Sequence, residues 1–216
     1  MDAKAAIKLG HFSRGGQTRV VTKALDHDFA DKDAKVQLFG FYLVELGETY
    51  LYFIKSPRVT ADAIADCLQD LWLRLRPRFR RVRTLLVDLD NGPENNSRRT
   101  QFINRLVEFA DNFSVDVQLA YYPPYHSKYN PIERVWGVLE QHWNGSLLDC
   151  LHTAVEFAKT MTYQGLSPYV TVVERVYDKG VKLTKRAMDA LEQRLERLQG
   201  LAKYFVTIPA LSTALS

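Results

Sequence analysis

The chain has 216 residues and a mass of 24.8 kDa, with 29 Lys+Arg against 25 Asp+Glu and a formal net charge of +4. That length suits one ordinary domain with an appendage and is enough to hold a core, so a disordered chain and a disulfide-stapled miniature are both poor readings. Hydrophobic residues make up 46%, yet no apolar run approaches the roughly 20 residues of a bilayer span and the start lacks the form of a signal peptide, so no membrane partner is expected.

In chain order, an extended segment at Ala5 to Leu9 comes first. The connection from Gly10 to Lys35 is 26 residues long, basic, and Gly-containing at Arg14-Gly15-Gly16, longer than most structureless loops. Val36 to Glu45 and Thr49 to Ile54 are rich in β-branched and aromatic residues around Leu46-Gly47-Glu48, which predicts a hairpin. From Thr60 to about Leu75, Ile64, Leu68, Leu71 and Leu75 recur at helical steps, with Thr60 as cap and Pro77 as stop. Thr84 to Leu89 reads as a buried strand ending in the turn formers Asp90-Asn91-Gly92-Pro93. A helix from Ser97 to about Asn112 and a strand from Val115 to Tyr121 follow, and another helix begins at Asn130-Pro131. Beyond Leu151 one helix reaches about Thr162, and a last amphipathic helix runs from Thr184 to about Gln199, with Met188, Leu191, Leu195 and Leu198 on one face. Such alternation predicts a mixed sheet covered by helices. Cys67 and Cys150 belong to no CxxC pair and read as buried thiols in a reducing compartment, so the cytoplasm is the expected location.

No nucleophile elbow, P-loop or dinucleotide fingerprint is present, which leaves carboxylates and a basic cluster. Arg74, Arg76, Arg78, Arg80, Arg81 and Arg83 lie within ten residues, a density that attracts nucleic acid and that also suits a solvated helix end. Asp90 stands just past a strand end, where open α/β sheets place functional groups, although an Asp there is often only a turn former. Asp88 shares its strand face, and pattern alone does not choose between the two. Glu133 sits in the first turn of its helix, where Asn130 as N-cap and Pro131 as first residue make a capping-box-like arrangement that by itself explains the glutamate. Glu140, two turns on, is a weaker alternative. Asp26, His27 and Asp28 read as a solvated turn more readily than as metal ligands, and His126 and Lys128 stand in the loop before Glu133 within reach of a phosphate or as plain surface. Tyr121, Tyr122 and Tyr125 suit packing at the sheet rim or stacking on an unpaired base.

The strings LLVDLDNGPENNSRR and AYYPPYHSKYNPIERVWG together resemble the DDE transposases of insertion sequences, in the mariner-like superfamily and most closely its ISAzo-type bacterial group. The opening DAKAAIKLGHFSRGGQTR is similar to the segment that holds that group's first catalytic Asp. The resemblance implies a ribonuclease-H-like α/β fold, with a mixed five-stranded sheet and helices on both faces over residues 1 to 150, and a helical C-terminal extension over 151 to 216. It implies the triad Asp2, Asp90 and Glu133, with Asp90 preferred to Asp88 by the family's Asp-Asn-x-Pro pattern. Three such carboxylates are a ligand set for two Mg2+ or Mn2+ ions, which suit hard oxygen donors. The implied activity is metal-dependent strand cleavage and strand transfer at transposon ends. Double-stranded DNA is then the partner, met by Arg78, Arg80, Arg81 and Lys128, and a homodimer follows from the resemblance alone.

Only Met1 precedes Asp2, which leaves no place for the DNA-reading helix-turn-helix region of such transposases or for the upstream half of the first strand. The expectation is therefore a catalytic-core fragment that transposes poorly alone. The alternatives are a catalytically incomplete DNA-binding remnant, and an interaction module in which Asp90 is a turn and Glu133 a cap.

Overall fold

The computed structural model describes residues 1–10, 12, 35–123, 126 and 129–211. The cluster at Asp26 to Asp28, together with Arg14-Gly15-Gly16, Tyr125 and Lys128, lies outside them. The chain divides into two compact units, one formed by Met1–Val59 with Pro131–Val176, the other by Thr60–Asn130 with Tyr177–Ser216.

In the first unit, β1 (Asp2–Lys8), β2 (Lys35–Leu43), β3 (Glu48–Ile54) and β6 (Tyr169–Val173) form a four-stranded sheet in the order β1-β2-β3-β6. β1, β2 and β3 run antiparallel and β6 joins β3 in parallel. The hairpin between β2 and β3 forms as expected, and Gly47 at φ +68 supplies the left-handed turn residue that L side chains resist. Two helices, α3 (Ile132–His142) and α4 (Leu151–Thr160), belong to this unit. Its core joins Val36, Leu38, Leu51 and Phe53 of the sheet to Ile132, Trp136, Leu139 and Trp143 around α3, and to Ala154 and Ala158 of α4.

The second unit holds the sheet order β4-β5-β8-β7, made of β4 (Thr84–Leu89), β5 (Asp116–Tyr121), β7 (Glu196–Arg197) and β8 (Phe205–Ile208). β4 and β5 are parallel, and β8 returns antiparallel to β5. α1 (Ala61–Leu75) starts where Thr60 predicts, since the Thr60 hydroxyl accepts from the Ala63 N–H at 3.2 Å. α2 (Thr100–Phe113) ends at Ser114, in the left-handed region at φ 52. Trp72 of α1 and Phe109 of α2 meet edge to face at 6.4 Å.

All five expected strands are present as β1 to β5, but their ladders place three in one sheet and two in the other, and each sheet is completed by strands from the C-terminal third. That third is therefore mixed rather than helical. The amphipathic helix expected over 184 to 199 is α5 (Lys185–Glu192) alone. The Arg197 guanidinium turns back to the Glu192 carboxylate and to the Ala202 and Ser97 carbonyls, while the Arg197 backbone pairs with β8. Cross-strand pairing thus takes the residues that periodicity assigned to the last helical turns. Cys67 is buried as expected, with burial pushing its thiol pKa up, but Cys150 is exposed at the start of α4. No helix among the described residues is long and apolar enough to cross a membrane.

Candidate active site

In the first unit Asp2 opens β1 directly opposite Gly40 of β2 and is only 9% exposed. A buried carboxylate needs hydrogen-bonding partners. One comes from α3, where the Trp136 Nε1–H donates to Asp2 Oδ2 at 3.2 Å. The approach depends on Gly40, because a Cβ there would fall 2.4 Å from Trp136 Cη2 and 3.3 Å from Ile132 Cδ1. A glycine inside a strand often marks such a close passage. α3 buries Ile132, Val135, Trp136 and Leu139, and this i, i+3, i+4 stripe turns Glu133 outward in the first turn.

Glu133 and Trp136 are three residues apart, so their side chains are neighbours on the helix surface. The bond from Trp136 to Asp2 therefore brings the turn that carries Glu133 to the Asp2 end of β1. The capping box expected around Glu133 does not form. Pro131 takes the N-cap position in a helical conformation, φ −57 and ψ −28, without a side-chain cap bond, and Asn130 is buried. Glu133 is exposed, with no hydrogen bond or ion pair among the described residues. Glu140, the weaker candidate, is otherwise engaged, since Lys4 Nζ lies 2.7 Å from its carboxylate and Trp143 Nε1–H donates to it at 2.9 Å.

In the second unit β4 ends at Leu89, and Asp90 is the first residue past the ladder, half-buried. Asn95 Nδ2–H donates to Asp90 Oδ1 at 2.8 Å. Asn95 is only 5% exposed, and its Oδ1 is buried without a partner among the described residues. The two side chains close around Gly92, where a Cβ would fall 2.8 Å from Asn95 Oδ1 and 3.2 Å from Asp90 Oδ2. The loop is tied down on several sides. Glu94 pairs with Arg99 at 3.0 Å and accepts from the Ala61 N–H, and Arg197 donates to the Ser97 carbonyl.

Tyr121 is buried, with its hydroxyl donating to the Asn95 carbonyl at 2.8 Å, so it is a loop anchor and not a stacking surface. Burial raises the Tyr121 phenol pKa most; Arg197 opposes that rise and the Asp90 carboxylate adds to it. Asp88, by contrast, sits within the ladder opposite Ala120, half-buried. Burial raises the Tyr122 phenol pKa, with Asp88 adding.

Arg78, Arg80 and Arg81 are all exposed in the turn after α1, with the Arg78 guanidinium over the Phe79 ring at 5.5 Å. His126 stacks on the exposed Tyr129 ring at 5.7 Å. Sequence reasoning missed Trp136 and Asn95 as partners of the two aspartates. Gly40 carried a signal as a glycine between Phe39 and Phe41 in a strand; Asn95 carried none. Among the described residues, no group of three or more His, Cys, Asp or Glu side chains is gathered closely enough to hold a metal ion.

A family model described as the Rhodopirellula transposase DDE domain matches residues 1–210. No curated protein and no solved structure matches the chain.

Proposed function

Because the chain belongs to the transposase DDE domain family, which covers residues 1–210, we propose that it is a catalytic core that cuts DNA at transposon ends and joins the freed 3′ ends to target DNA. In this reading Asp2, Asp90 and Glu133 hold two Mg2+ or Mn2+ ions. The observation that carries it is the Trp136 bond to Asp2, which brings an acidic strand residue and the Glu133 turn together across 134 positions of sequence.

The donor chemistry fits hard cations. All three candidates are carboxylates, and neither Asp90 nor Glu133 is paired with Lys or Arg among the described residues. The Trp136 N–H on Asp2 and the Asn95 N–H on Asp90 are uncharged donors, each of which orients a carboxylate oxygen without itself bringing a positive charge. Glu140, already paired with Lys4, would have to give up that cation. When bound, the metal pair would activate water or a 3′-hydroxyl and stabilise the leaving oxygen of a phosphodiester. The chain's own part is to bind and orient. Asp90 favours this role over Asp88 because it stands beyond the ladder, on a loop held at both ends by hydrogen bonds. Exposed Arg78, Arg80 and Arg81 are suited to phosphate contacts, which would make DNA affinity fall steeply with salt. Lys128 shares that proposed role.

Glu133→Ala tests the reading. With no cap bond to lose, its stability cost is expected to stay within about 0.5 kcal/mol, while Mn2+-dependent cleavage of transposon-end DNA disappears. A loss of about 1 kcal/mol with cleavage unchanged would make Glu133 a helix cap after all. DNA binding without cleavage in the unsubstituted chain would instead mark a catalytically incomplete remnant.

A further inference from the structure

We infer that the arginine turn after α1 is a separate grip for the sugar-phosphate backbone of duplex DNA, set at the far end of β4 from Asp90. The inference rests on the DNA-processing reading and adds to it where the duplex is held; it needs no metal ion.

Chain order fixes the separation. β4 runs from Thr84 to Leu89, so Arg83 stands immediately before its first residue and Asp90 immediately after its last. Extended chain at roughly 3.3 Å per residue puts the two on the order of 20 Å apart. That is more than twice the roughly 8 Å screening length at physiological salt, so the two ends act on a phosphate independently. Hydrogen bonds fix the turn itself. Arg76 N–H donates to the Trp72 carbonyl at 2.8 Å, Val82 N–H to the Phe79 carbonyl at 3.1 Å, and Asp116 N–H at the start of β5 to the Arg83 carbonyl at 2.9 Å. Half-buried Phe79 and Val82 alternate with exposed Arg78, Arg80, Arg81 and Arg83, so the apolar side chains seat the turn and the guanidiniums face solvent.

Much of this charge is uncommitted. Arg74 is paired with Asp70, but Arg80, Arg81 and Arg83 have no ion pair or side-chain hydrogen bond among the described residues. Arg76 lies over the Phe113 ring at 5.8 Å, a contact that brings no negative charge. The C-terminus of α1 favours cations within its last turn, which accounts for Arg74 and Arg76 but not for the three arginines further on. Those repel one another, a cost that a polyanion relieves. The turn's aromatic ring, Phe79, is half-buried with the Arg78 guanidinium over it. What the turn offers is therefore charge without an open stacking face, which suits a duplex backbone and not unpaired bases.

Anisotropy of a labelled random-sequence duplex, titrated in EDTA, tests this without metal. Combining Arg80→Gln, Arg81→Gln and Arg83→Gln is expected to weaken binding about a hundredfold at about 0.1 M salt and to flatten the slope of log K against log salt by about 3. Lys182→Gln, Lys185→Gln and Arg186→Gln together remove the same charge from exposed positions around the start of α5, and should cost less than about threefold. Equal losses from the two triple variants would make the effect one of net charge and overturn the inference, as would unchanged affinity in the arginine variant; the metal reading would stand in either case. Poly-glutamate displacing the duplex at equal charge concentration would also overturn it, by marking a surface for acidic polymers in general. In the unsubstituted chain, duplex is expected to slow hydrogen exchange over residues 76–83 and not over 91–98, and the reverse pattern would place the backbone at the Asp90 end and overturn the inference. If the unsubstituted chain binds no duplex even at low salt, the DNA-processing reading fails and the inference with it.

Discussion

The two compact units hold their acidic residues by different means. In the first, Asp2 is gripped by packing, with the apolar stripe of α3 lying on β1 and β2 and the Trp136 N–H bond following from that fit. In the second, Asp90 rides on a loop held by hydrogen bonds and ion pairs, and its helices are laced by charge as well. Arg105 of α2 reaches Asp62 and Asp66 of α1 at 2.7 and 2.6 Å, while Gln101 and Tyr177 complete the acceptors. Burial alone would lower the Arg105 pKa, but the hydrogen bonds that its guanidinium donates to Asp66 and Asp62, with the charge of those carboxylates, outweigh it and raise it. A carboxylate placed by shape should tolerate salt and acid and fail on loss of volume, whereas one placed by polar bonds should do the reverse.

The largest effect should come from volume in the first unit. Trp143 is fully buried, so Trp143→Ala is expected to cost about 4 kcal/mol in urea denaturation, with hydrogen-exchange protection lost along β1 to β3. A cost near that of a surface substitution would refute packing as the grip there. Next comes Arg105→Ala, which strips two aspartates of their cation. Its expected cost is about 2 kcal/mol, below that of a fully buried pair because solvent reaches part of the network. That cost should shrink in high salt, unlike that of Trp143→Ala. Thr60→Ala removes the α1 cap bond for about 1 kcal/mol, measurable as a lowered Tm.

The smallest effect concerns acid. The Arg194 guanidinium hydrogen-bonded to Asp111 holds that carboxyl below its ordinary range, so this pair stabilises the fold above the unfolded value. Its contribution should fade as pH drops below about 4, through the depressed folded value. Arg194→Gln is therefore expected to move the acid-unfolding midpoint upward. A midpoint left unchanged would mean the pair adds nothing.

Much of this was legible in sequence where one local rule governed. The apolar run from Thr84 to Leu89 is β4 residue for residue, and the Thr60 cap with the stripe through Ile64, Leu68 and Leu71 is α1. What escaped depends on contacts between distant segments. Periodicity at Leu195 and Leu198 suggested more helix, but pairing of Glu196 and Arg197 with Thr207 and Val206 decided otherwise. The cap reading of Glu133 rested on residue types that fit, and failed because Pro131 itself takes the N-cap place. Nothing in Asn95 or in the spacing from Asp2 to Trp136 discloses a bond, since both depend on chain passing a glycine with no room for a methyl group.

The most direct measurement is anomalous diffraction from crystals of the chain soaked in Mn2+. Two peaks about 4 Å apart, each touching carboxylate oxygens of Asp2, Asp90 and Glu133, are expected. Saturating Mn2+ bound elsewhere, with those three side chains held more than about 10 Å from one another, would contradict the claim, because no paired-ion cage is that wide.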